Sequence, residues 1–208
     1  FKLNETFAGA IMAADNVLAL FLLPFFGALS DKTSTRIGRR MPFIVGGTAA
    51  AAILMNLIPL LDDRYAASPS TGTLVLFIIV LGLLLVSMGT YRSPAVALMP
   101  DVTPKPLRSR ANAIINLMGA VGGILYLGLA AVLYPASKTK GVEHVSYRPL
   151  FFIVSMIMVV AVVVLYLTIK EPKLGAENQK LEAAHPEWNL ATDDGTGHEV
   201  LPAPVKRS

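Results

Sequence analysis

The densest set of chemistry-bearing residues lies in PFFGALSDKTSTRIGRRMPFI, residues 24–44. Gly27 and Asp31 stand four apart, followed by Arg36, Gly38, Arg39 and Arg40. One carboxylate among several guanidiniums suits bidentate ion pairing rather than bond-making catalysis. Such pairs could latch a gate; a solvated basic turn would use the same residue types. A second set joins Asp101 to Arg108 and Arg110. Other polar residues sit alone in apolar runs. Asp15, with Asn16 beside it, lies roughly 12 Å into the run 7–29 at helical rise. A carboxylate at that depth is costly, and is a proton site, an aspartate satisfied by polar neighbours or, in another register of the span, a residue near the outer interface. Arg92 interrupts a later run, toward the opposite end. Asn112 and Asn116, four apart, share a helix face, with Tyr126 further along. These residues could face a solute or tie helices together. Enzyme chemistry is poorly provided for. His144, His185 and His198 fall outside the apolar runs, there is no cysteine, and no nucleophile–base or metal-ligand spacing occurs within them.

Elements long enough to position these residues follow from the apolar runs. The 208 residues are 54% hydrophobic and 15% charged, whereas soluble domains average about 45–50% and about 25%. Spans are expected at residues 7–29, 42–61, 73–99, 109–134 and 149–169, each near or above the roughly 20 residues that cross a bilayer as a helix. Helices are required because backbone groups in lipid must be paired within their own segment, and the alternation of a barrel strand is absent. The glycines Gly119, Gly122, Gly123 and Gly128 read as close helix packing. Residues 173–208 turn polar and are expected to form a largely disordered linker, with room for a short helix around Ala176–Ala184 and with Trp188 as a surface anchor.

Orientation follows from the basic residues between spans. One side carries Lys32, Arg36, Arg39, Arg40, Lys105, Arg108, Arg110, Lys170 and Lys173; the other carries Lys2, Arg64, Lys138, Lys140 and Arg148. The richer side is expected to be cytoplasmic. Residue 1 then lies outside and 170–208 inside. A chain that starts outside without a signal peptide implies an earlier span. The clusters beside apolar runs belong to membrane topology and give no nucleic-acid stripe.

The stretch Gly27, Asp31, Gly38, Arg39, Arg40, Pro42 resembles the signature loop of the major facilitator superfamily. Its long spacing resembles sucrose transporters and glycoside–pentoside–hexuronide symporters. The stretch SPAVALMPDVTPKPLRSRANAIINLMGAVGG resembles the sucrose-transporter loop between helices four and five. The resemblance covers residues 8–172. It implies an all-α membrane protein with a major-facilitator-type helical bundle, here an incomplete N-terminal half: helices two to six in residues 1–172, then the central linker. Helix one and the C-terminal half of the same transporter would be its partners, with the bilayer around them. It implies that Asp31 pairs with the basic loop, and that Asp101 forms a related charge set. Arginine in helix four of major facilitators is tied to substrate or proton coupling. Arg92 is the candidate here, offset from Val96, where sucrose transporters place theirs. The symporters' paired helix-two aspartates correspond to the apolar Ala19 and Leu23, which turns the expectation from sodium to protons.

The expected function is secondary active transport in the cell membrane, as proton-coupled symport of a sugar or glycoside by alternating access, with no cofactor and no catalytic or metal-binding residues. Drug or metabolite export within the superfamily and a non-transporting receptor or assembly subunit are the alternatives. A receptor explains the helices but not the two loop motifs.

Overall fold

The computed structural model describes residues 5–139, 141–142 and 144–189. Five long helices dominate: α1 (Glu5–Lys32), α2 (Met41–Ala67), α3 (Thr71–Val102), α4 (Arg108–Leu133) and, after the short α5 (Ala136–Thr139), α6 (Arg148–Thr168). A further helix, α7 (Glu171–Ala184), follows at once. Each expected apolar run falls on one long helix, with α4 and α6 stopping one residue short. Among the described residues, α2, α3, the stretch Lys105–Leu133 and α6 are long and apolar enough to cross a membrane. Even α6, at 21 residues, reaches roughly 31 Å at helical rise.

Prolines mark helix starts and bends. Pro42, Pro149 and Pro172 occupy first turns, where a missing N–H removes no helical bond. Pro24, Pro59, Pro94 and Pro100 lie inside helices. Neighbouring helices make such positions tolerable in a membrane bundle, and Pro94 is fully buried between them.

The helices pack as a row in which α1 lies on α3, α3 on α2, and α2 on α6. Small residues allow the close approaches. Gly47 backs onto Tyr91 and Ser87, Gly89 onto Leu22, and Gly27 onto Ser93. This is the packing expected where lipid removes the hydrophobic drive between helices. A cross-link of Asn56 Nδ2 donating to Ser155 Oγ, 2.7 Å, joins α2 to α6. The tightest apolar core is Met41, Ile44 and Leu98, with Val102, Val162 and Leu165 against it. It sits directly under the charge cluster described below. Outward faces are apolar: Phe21, Ile53, Leu83 and Phe152 are all more than half exposed.

Two expectations change here. α4 touches α6 and the end of α3, yet none of its side chains is buried. Among the described residues nothing packs on Gly119, Gly122, Gly123 or Gly128, so the close packing read from their spacing is not made there. The linker expected to be largely disordered from residue 173 begins as α7, which contains the short helix allowed around Ala176–Ala184 and starts earlier, and a 3-10 turn Pro186–Asn189 follows it. Trp188 there stacks on His185 at 4.5 Å. Residues 190–208 of that expectation lie outside the described residues.

Candidate functional site: a charge cluster at the basic end

The site begins with a turn. Leaving α1, the chain donates Thr33 N–H to Ser30 O and Gly38 N–H to Thr35 O. Gly38 has φ +123°, a conformation that side chains with a Cβ resist. It is also buried, and a Cβ there would overlap the Glu171 carboxylate. The turn aims three successive backbone N–H groups at one point, at the positive end of α2.

Glu171 occupies that point. Its Oε1 accepts from Arg39 N at 2.8 Å and Arg40 N at 3.1 Å; its Oε2 accepts from Arg40 N at 3.1 Å and Met41 N at 3.0 Å. It is 5% exposed. A carboxylate satisfied by N–H groups at a helix N-terminus gains from both the bonds and the helix dipole. Glu171 opens α7, so one side chain fastens α7 to the start of α2.

Arg40 does the same for the other ends. Its guanidinium is nearly buried and reaches Asp31 Oδ1 at 2.9 Å, Ser30 Oγ at 3.3 Å and Asp101 Oδ2 through Nε. Arg39 adds a contact to Asp101 Oδ2 at 3.2 Å. Asp31 ends α1 and Asp101 ends α3, so Arg40 binds both to the head of α2. A rigid fork of donors suits this three-way arrangement, which a lysine point charge could not reproduce. On the far side, Arg108 at the start of α4 donates to Glu182 Oε1 at 2.8 Å and to Pro100 O at 2.9 Å. Asn178 Nδ2 donates to Asp101 O at 3.2 Å. A polar cavity of about 510 Å³ lies among Arg39, Asp101, Arg108 and Glu182.

Of the residues singled out from the loops, the structure brings together Asp31, Gly38, Arg39, Arg40 and Asp101, with Arg108 at the edge. Gly27 supports the cluster, as its carbonyl accepts from Ser30 Oγ at 2.8 Å. Arg36 and Arg110 are exposed and enter no recorded ion pair among the described residues. Glu171, Asn178 and Glu182 were not anticipated. The one available signal was the Glu171–Pro172 pair, an acid and a proline where a new helix could begin.

The residues inside the apolar runs stay apart. The side chain of Asp15 lies outside the described residues. Leu22 meets Gly89 and Gly27 meets Ser93, so α1 and α3 run parallel in a register that sets Asp15 level with about Gly82. Arg92 is then roughly 15 Å further along the axis, which leaves no direct pair. Arg92 is exposed and borders a small cavity of about 80 Å³ with Leu18, Leu22 and Gly89. Asn16, Asn112, Asn116 and Tyr126 are exposed on α1 and α4.

A second polar cluster joins the opposite ends. Asp63, near the end of α2, pairs with His144 Nε2 at 2.7 Å, accepts from Ser146 Oγ at 2.7 Å and pairs with Arg148 at the head of α6. Asp62, Asp63 and His144 bring three ligand-type atoms within 4.8 Å of one another. Arg148 and Ser146 already engage Asp63, so an ion-pair network accounts for the arrangement.

The Major Facilitator Superfamily family model matches residues 1–203. Sucrose transport protein SUC3 of Arabidopsis thaliana is 33% identical over 135 residues, covering 59% of this chain and 23% of that protein. Sucrose transport protein SUT2 of Oryza sativa subsp. indica is 28% identical over 203 residues, covering 88% of this chain and 40% of that protein. Sucrose transport protein SUC4 of Arabidopsis thaliana is 31% identical over 129 residues, with shares of 58% and 25%. The chain thus spans less than half the length of these relatives. No solved structure matches it. With apolar helices of bilayer length and a helical fold throughout the long elements, the family match identifies this chain as an all-α membrane protein that belongs to the major facilitator superfamily.

Proposed function

We propose that the chain is part of a secondary active transporter that moves a sugar or glycoside together with protons by alternating access. The observation that carries this reading is the Arg40 hub, which ties the ends of α1 and α3 to the head of α2. A latch must hold and also release. Asp31 is 55% exposed, so water can take over its carboxylate when Arg40 lets go. Repacking such a surface is within reach of one transport cycle. Substrate class comes from the similar proteins, whose names are sucrose transport proteins.

In this reading the cluster lies on the cytoplasmic side, as the excess of Lys and Arg there supports. Asp15 takes up and releases the coupling proton in the membrane. Arg92, Asn16, Asn112, Asn116 and Tyr126 belong to the solute path, and the rest of the transporter supplies the other wall.

Uptake by proteoliposomes containing the full-length transporter tests it. An imposed proton gradient should drive labelled sucrose inward, and sucrose should in turn dissipate the gradient. If no sugar or glycoside does either, symport is wrong. Outward movement of a drug or metabolite against its gradient would favour export instead.

A further inference from the structure

A cavity of about 430 Å³ opens where the α1–α2 turn meets the α6–α7 junction. Its walls are of two kinds. Arg36, Lys170 and Lys173 supply three cations, while Ile37, Tyr166 and Leu167 supply an apolar wall. Among the described residues no carboxylate lines it. Glu171 is the adjacent acid in sequence, yet its oxygens are taken by the N–H groups that start α2. Among the described residues none of the three cations has a recorded ion pair, in contrast to Arg39, Arg40 and Arg108 nearby. Three unneutralised cations around one cavity favour an anion.

The apolar wall narrows the choice of anion. Tyr166 is 45% exposed and Leu167 67% exposed. The exposed surface continues along α6 through Val163 and Val160, each about one helical turn from the next. A free anion would use only the cations. A ligand with an anionic head and an apolar tail would use both walls. We propose that this cavity binds the headgroup of an anionic phospholipid from the adjacent leaflet, its phosphate against Arg36, Lys170 and Lys173 and one acyl chain along α6. Basic pockets at helix ends are suited to such headgroups. The inference needs α6 in the bilayer, and does not depend on the transported solute or the coupling ion.

Native mass spectrometry of the full chain tests it, with phosphatidylglycerol and phosphatidylcholine offered in equal amounts. The wild-type chain should retain phosphatidylglycerol in preference. The triple variant R36Q/K170Q/K173Q should lose that preference, at about fivefold weaker retention per cation removed. Arg64→Gln, which removes a cation at the other end of α2, should leave it unchanged. Arg36→Lys should keep it, since charge rather than the fork is what counts. An excess of inorganic phosphate should not displace the lipid. Undiminished retention by the triple variant, no preference over phosphatidylcholine, or full displacement by phosphate would overturn the proposal. So would equal loss in the Arg64→Gln or Arg36→Lys protein, because the triple variant's loss would then reflect general damage.

Discussion

Gly38 shows how much one backbone angle controls at this site. Its φ of +123° and its contact with Glu171 arise from the same turn. Gly38→Ala should therefore lower thermal stability by about 1–3 kcal/mol from backbone strain, with the overlap added. Glu171→Ala should also destabilise, by about 1–3 kcal/mol, as it strands N–H groups that the buried carboxylate satisfied. The two losses should not add in the double variant, because removing the carboxylate removes the overlap. Additive losses, measured by thermal unfolding in one detergent, would mean that the two residues do not meet. At Arg40, replacement by lysine should cost nearly as much as replacement by alanine, for the three contacts need the fork. On the proposed reading, in which Asp15 carries the coupling proton, Asp15→Asn should abolish gradient-driven uptake by the full-length transporter while leaving sugar exchange. An unchanged pH dependence of uptake in that variant would remove Asp15 from the coupling mechanism.

At the scale of elements, α7 is the part that departs most from its composition. Its sequence, EPKLGAENQKLEAA, has little apolar surface to bury, and isolated helices of this length are marginal in water. Three polar anchors hold it: Glu171 on the head of α2, Asn178 on the end of α3 and Glu182 on Arg108. Hydrogen exchange should therefore find the amides of Arg39, Arg40 and Met41 protected, and Glu171→Ala should speed their exchange by more than tenfold. Unchanged protection would show that the α2 start is held by something else. Helix α4 is the opposite case. It is apolar enough to cross a membrane, but Asn112, Asn116, Tyr126 and its glycines are uncovered among the described residues.

For the whole molecule, the two charge clusters mark the two ends of the bundle. The absence of native cysteine in this chain makes single-cysteine labelling clean on these 208 residues. A cysteine at Ser137 should react with an impermeant maleimide added outside cells, and one at Ser34 should react only after permeabilisation. The reverse pattern would invert the proposed orientation. Both positions are exposed, so burial would not confuse the result. The cluster around Asp63 and the one around Arg40 are bridged by α2, which contributes to both. That places α2 where tilting could couple them.

Residue order alone determined the helices and much of the cluster around Arg40. Apolar runs of bilayer length can satisfy their backbone only as helices, so α1 to α4 and α6 were legible from local composition. Asp31, Gly38, Arg39 and Arg40 were legible because they lie within ten residues of one another, in a spacing that resembles a known loop. Glu171 was not, because it stands about 130 residues from the N–H groups it caps, and no local pattern reports which helix end an acid will reach. Asp63, His144 and Arg148 were missed for the same reason. The separation of Arg92 from Asp15 was roughly readable from helical rise, while the register of α1 on α3 required the packing of Leu22 on Gly89. Local hydrophobicity therefore set the elements. Tertiary structure decided which charges neutralise one another and which, like Arg36, Lys170 and Lys173, meet no carboxylate among the described residues, because ion pairing depends on distance in space and not on distance along the chain.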